Sequence, residues 1–174
     1  GQEDYDKTFI ELPGILDKHK AAAVICDGKY PHHRILTLFI AAIEKAIGLC
    51  VDGADISTVC GTVDDYVVEE LTKVFSNKKS KKLERGIAFP CCISVNEICG
   101  HMSPCPEDSS KLATSDLVKI ELGAHIDGYG AGAAHTIIVG GKSEGKQADV
   151  VSAAYNAFMA ASRMIKVGGT SKHT

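Results

Sequence analysis

The residues able to do chemistry fall into four groups. The first lies on two runs flanking Asp127-Gly128, a strong two-residue hairpin turn. Pairing Ile126 with Tyr129 places Gly123 opposite Gly132, which makes Glu121 and position 132 diagonal neighbours on one sheet face. Carboxylates at both places would clamp a divalent cation, but only Glu121 is one, and Gly132 offers no ligand. A lone glutamate does not hold a catalytic divalent ion without ligands from elsewhere. The competing reading of Glu121 is a half-buried carboxylate paired with lysine or arginine. The second group centres on His101 in Ser94–Pro104, a loop histidine able to bind or shuttle protons, or simply hydrogen-bonded in its loop. His125 and His135 fall on opposite hairpin faces and so cannot serve one metal together.

The third group is Cys91, Cys92, Cys99 and Cys105, which surround His101. Thiolate zinc needs four ligands in tetrahedral array, yet the paired Cys-x-x-Cys spacing is missing, and small buried apolar thiols are the competing reading. The fourth is Lys78, Lys79, Lys81, Lys82 and Arg85, five positive charges in eight residues. Such a run can follow a phosphate backbone. It can equally be a solvated connection, and no aromatic residue interleaves with it to stack on bases. No Gly-rich phosphate loop, HExxH, GxSxG or kinase signature occurs.

These groups need elements to position them. Ile35, Leu38, Phe39, Ala42, Ile43, Ala46 and Ile47 recur at helical spacing, predicting a helix from about Arg34 to Cys50. Asp52-Gly53 is a turn, Asp55 can cap the next helix, and Ile56, Val59, Val63, Val67, Leu71 and Val74 form its apolar stripe. Ile87–Pro90 and Cys92–Val95 read as two short extended pieces, and 103–115 as turn-rich. On the hairpin, Val118, Ile120, Leu122, Ala124 and Ile126 share a face with Tyr129, Ala131, Ala133, His135, Ile137 and Val139, and this face should lie under helices. The opposite face is polar and unusually rich in small residues. Residues 148–166 predict a closing helix ended by Gly168-Gly169. The order of elements predicts α+β, with an antiparallel sheet covered on one face.

Composition bounds the rest. A chain of 174 residues, 45% apolar and 24% charged, with net charge -3, suits a folded core rather than a disordered chain. That charge gives no global basic field, so nucleic-acid binding would need a local patch. No run approaches the roughly 18–20 apolar residues that span a bilayer, so no membrane insertion is expected. The acidic start, Gly1-Gln2-Glu3-Asp4, carries no secretory pattern. Seven cysteines, an odd number without such a signal, read as reduced thiols.

Arg85–Pro90 (Gly-Ile-Ala-Phe-Pro), Ser94-Val95-Asn96, His101-x-Ser103-Pro104, Asp116–Gly128 and Ala134-His135-Thr136 resemble type 2 methionine aminopeptidases. The closer resemblance is to their non-catalytic relatives, the proliferation-associated, ErbB-receptor-binding proteins; the Gly-Ile-Ala-Phe-Pro string, the Val-Lys-Ile-x-Leu-Gly strand and the helix start at Ala148-Asp149-Val150-Val151 are its specific markers. The resemblance runs from about Leu16 to Gly168 and covers the first half of that family's fold. It implies a pita-bread fold, two pseudo-symmetric α+β halves around one curved antiparallel sheet. It divides the chain into an arm at 1–16, a first aminopeptidase-like half at 17–168, and a junction at 169–174. Residues 27–33, with Pro31, look inserted in the family's first helix.

The active enzymes hold two metal ions with two Asp, one His and two Glu. The two Asp positions correspond to Glu121 and Gly132, and the histidine near the substrate amine to His101. The resemblance therefore implies a pseudo-enzyme without metal or other cofactor, with a vestigial pocket at His101, Glu121 and Gly132. It implies a growth-regulatory binding protein of cytoplasm and nucleus or nucleolus, whose partners are RNA or the ribosome and other proteins, with Lys78–Arg85 as the nucleic-acid-binding segment. An active methionine aminopeptidase is the alternative. A half-fold would also expose surface for self-association, as a homodimer.

Overall fold

The computed structural model describes residues 37–73, 83–107, 110–141, 144–166 and 168–170. The expected arm at 1–16, the break at 27–33, and Lys78, Lys79, Lys81 and Lys82 lie outside the described residues. The elements are α1 (Thr37–Leu49), α2 (Ile56–Lys73), β1 (Arg85–Val95), β2 (Leu117–Ile126), β3 (Tyr129–Ile138) and α3 (Gly145–Met164). Two compact units contain them, the larger ending at Gly140 and the smaller beginning at Gly141.

In the larger unit the three strands form an antiparallel sheet in the order β1-β2-β3. Asp127 and Gly128 both take positive φ, 56° and 81°, as a tight two-residue hairpin requires. Ile126 pairs with Tyr129, and Gly123 with Gly132, the register read from the turn. Val118, Ile120, Leu122, Ala124 and Ile126 are all buried on the face that meets the helices. The stripe of α2 supplies Val59, Val63, Val67 and Leu71 to the same core, and α1 supplies Ala42 and Ala46. Burying each of the valine, leucine and isoleucine side chains is worth about 1.5–3 kcal/mol relative to exposure.

The connection between helices is built by capping. Asp55 Oδ1 accepts from the Thr58 backbone N–H at 2.9 Å and from the Ser57 and Thr58 hydroxyls, each at 2.7 Å. Those hydroxyls, Thr58 first and then Ser57, hold the Asp55 carboxyl below its ordinary range. Residues 110–112 lie alongside this turn: Leu112 N–H donates to Ala54 O, and Ile56 N–H to Ser110 O.

The two short extended pieces expected at 87–95 are instead one bulged strand. Gly86 pairs with His125 and Ile87 with Ala124, but Phe89 pairs with Gly123 and Cys92 with Glu121. One extra residue is thus inserted between Ile87 and Phe89, and another between Phe89 and Cys92. Pro90, which has no N–H to give a ladder, sits in the second bulge. Each bulge reverses which face the following side chains take. Ile87 packs against the core, Phe89 turns to the opposite face over Gly123, and Cys91 and Ile93 return to the core. Asp64 of α2 accepts the Cys91 backbone N–H at 2.8 Å, anchoring the second bulge.

The smaller unit contains α3, which begins at Gly145 rather than 148 and keeps the expected apolar stripe. No described residue of α3 is buried; Tyr155 and Phe158 are 62% and 67% exposed.

Asp64→Ala should leave the Cys91 N–H without its partner and destabilise the chain by about 1–3 kcal/mol, while Asp64→Asn, which keeps an acceptor, should cost less, both read by denaturant unfolding. The lowered Asp55 value means its stabilisation is full above the ordinary carboxylate range and disappears as pH falls through the folded-state value. Asp55→Asn should therefore flatten the acid limb of a stability–pH profile.

Candidate functional site

On the sheet face away from the core, four positions surround Glu121: Ala134, Gly132, Cys92 and His101. The hairpin places Glu121 opposite Ala134, with Gly132 diagonal to it. On the other side Cys92 of β1 faces Glu121. His101 arrives from the loop after β1. Ile93 N–H donates to Met102 O at 2.8 Å, and Met102 N–H donates to the buried Ser94 Oγ at 3.2 Å. These two bonds fold the loop back along β1, and His101, with φ 62°, completes the reversal. Its Nδ1 lies 2.9 Å from Glu121 Oε2. The histidine side chain is 89% exposed and the glutamate 20%. A Cβ added at Gly100 would sit 2.8 Å from Glu121 Oε1, so the glycine leaves room for the other carboxylate oxygen.

Glu121 is therefore paired with histidine, not with the lysine or arginine that a half-buried carboxylate led us to expect. Lys119 is committed elsewhere: its Nζ donates to Asn96 O at 2.7 Å. Asn96 also ties β1 to β2, its side chain accepting from Leu117 N–H and donating to Asp116. The Ser94-Val95-Asn96 string thus shapes the loop that delivers His101.

Gly132 lies beside Phe89. A Cβ at Gly123 would be 2.5 Å from the Phe89 ring, whereas one at Gly132 would be 3.6 Å from it, in ordinary contact. The ring, turned outward by the bulges, covers the sheet where these two glycines leave it bare. Nothing in the strand's apolar pattern marks this reversal; Pro90, which has no N–H for a ladder, is the residue type that accompanies such an interruption.

The cysteine group is not assembled as a zinc site. Cys91 faces the core, Cys92 lies on the opposite face with its thiol on Pro90 O, and Cys99 and Cys105 are exposed. Alternation along the strand separates Cys91 from Cys92. Among the described residues, no three His, Cys, Asp or Glu side chains are grouped to hold a metal. Of the basic run, Arg85 alone is described; it opens β1 opposite Ile126.

The sequence profile of metallopeptidase family M24 matches residues 67–173. The chain belongs to that family. Within it, the chain is 43% identical over 163 residues to "Proliferation-associated protein A" of Dictyostelium discoideum, covering 91% of this chain and 38% of that protein. It is 35% identical over 168 residues to "ERBB-3 binding protein 1" of Arabidopsis thaliana, covering 96% and 39%. A solved structure of a thermophilic Arx1 superposes with TM-score 0.70 at 27% identity, over 93% of this chain and 43% of Arx1. The chain thus spans about two fifths of these relatives' length. Its α+β architecture is that of the M24 pita-bread fold.

The M24 two-metal centre implied by the resemblance does not fit the residues present here. One carboxylate position holds a glutamate engaged by His101, and the other holds a glycine beside a phenyl ring. No step can be derived through metals at these positions.

Gly123→Ala should destabilise by about 1–3 kcal/mol through overpacking against Phe89, while Gly132→Ala should be tolerated. Adding Phe89→Ala to Gly123→Ala should relieve the clash, seen as a favourable coupling in a double-mutant cycle of unfolding free energies.

Proposed function

We propose that this chain is a non-catalytic M24 protein that acts by binding. Its role is regulatory, in cell growth, ribosome biogenesis or translation, through RNA or ribosome contacts and protein partners. The observation that carries this reading is the pair Glu121 and Gly132. Hydrolysis by a two-metal centre needs carboxylates that bridge and hold both ions, and glycine supplies none. The likeness to a proliferation-associated protein and to an ERBB-3 binding protein supports a regulatory rather than a digestive role.

On this reading the Lys78–Arg85 run contacts a phosphate backbone, and the protein works in cytoplasm and nucleus or nucleolus. Self-association through surface left open on the half-fold belongs to the same proposal. Family membership and the approach of His101 to Glu121 favour the second reading, an active methionine aminopeptidase.

Incubation with a Met-Ala-Ser peptide and cobalt, manganese or zinc should release no methionine. Release that Glu121→Ala abolishes would overturn the proposal in favour of the second reading. RNA binding, followed by fluorescence anisotropy, should weaken with added salt, and alanine at Lys78, Lys79, Lys81 and Lys82 should reduce both affinity and salt slope. Unchanged binding would remove the basic run from the account.

A further inference from the structure

A second cluster of reactive groups lies on the opposite side of the sheet from Glu121. Cys60 of α2 and Cys91 of β1 are neighbours in the core between helix and strand, and each influences the other's thiol. Their positions are fixed from both sides. Cys60 is held on a helix whose Asp64, one turn later, accepts the Cys91 N–H, and both cysteines belong to the core. Cys60 also lines a pocket of about 380 Å³, together with Ser57, Thr58, Gly61, Asp64 and Ser103. Nothing lies within 4 Å of where a Cβ at Gly61 would stand, so the wall beside Cys60 is open. The arrangement is therefore one thiol that lines a pocket and a second thiol beside it in the core.

We propose that Cys60 and Cys91 form an oxidisable dithiol that a small peroxide, entering this pocket, converts to an internal disulfide. Cys60 is the attacking sulfur. The thiolate is the nucleophile; Cys60 is the thiol that lines the pocket, and the neighbouring Cys91 thiol brings it below its ordinary value, against the opposing effects of burial and of the Asp64 carboxylate. Cys50 does not compete, because burial pushes its thiol up to about 11. Cys92 does not compete either, because it faces the other side of the sheet. The Cys60 thiolate takes the terminal oxygen of the peroxide, whose O–O bond breaks; with one proton, the other oxygen leaves as water, or as an alcohol from an alkyl peroxide. Cys91 then attacks the Cys60 sulfur, hydroxide departs and takes the Cys91 proton as a second water, and the S–S bond forms. Two thiols are oxidised and one peroxide is reduced.

The bridge would join α2 to β1 and enclose the segment that carries the lysine run. It does not depend on the binding role proposed above.

The test treats the reduced full chain with a slight excess of hydrogen peroxide, blocks remaining thiols by alkylation, and maps the peptides by mass spectrometry. The expected product is a Cys60–Cys91 linked peptide lighter by two hydrogens, reversed by dithiothreitol. The oxidised chain should also have a higher Tm than the reduced one, as a closed loop predicts. Cys60→Ser should abolish the link; should that variant not fold, the wild-type map decides alone. Recovery of Cys60 as a free thiol, as a sulfinic acid, or linked to another cysteine would overturn the proposal.

Discussion

One hydrogen bond sets the phase of the sheet. Pro90 and the bulge at its side take the Cys91 N–H out of the strand ladder, and a buried N–H without a partner is costly. Asp64 supplies the acceptor from α2. The bond comes at an electrostatic cost: burial pushes the Asp64 carboxyl up, and the Cys91 N–H only partly offsets this. What it secures is alternation. With Cys91 turned to the core, Cys92 and Ser94 must face the other way. Ser94 then meets Met102, the loop folds back, and His101 reaches Glu121. The same phase puts the Cys91 thiol against Cys60.

Much of this architecture is legible in the chain itself. The hairpin register follows from two residues, because Asp127-Gly128 admits one tight turn and period-two alternation then fixes every partner of β2 and β3. The helices follow from their stripes, and the cap of α2 from Asp55. The bulges are not legible in the strand's alternation, and the second is anchored by a carboxylate far away in sequence. A regular strand would place Ile87, Phe89, Cys91 and Ile93 on one face. The partner of Glu121 was also hidden: its choice of a histidine over the nearby Lys119 is made by the backbone path of residues 96–102. The resemblance pointed to positions 101, 121 and 132, but it could not show that Phe89 lies beside the third.

The two faces of the sheet have different chemistry for a simple reason. On the core face, β-branched and aliphatic residues of β2 fill the space beneath the helices. On the other face, Gly123, Gly130, Gly132 and Ala134 carry little or no side chain, and among the described residues Phe89 lies over Gly123 and Gly132. A face built from glycine has room for ligands only if side chains elsewhere provide them. Here the single carboxylate is taken by a histidine of the same chain, so the arrangement satisfies itself.

The pairing of Met102 with Ile93 decides where the sheet can accept another strand. That bond occupies the outer edge of β1 at Ile93 with a piece of its own loop. A further strand arriving there would have to displace it and, with it, the histidine. β3 is flanked by β2 alone among the described strands. The two margins of the sheet thus differ: the β1 margin is sealed at Ile93 by the loop that carries His101, whereas no described strand adds to β3.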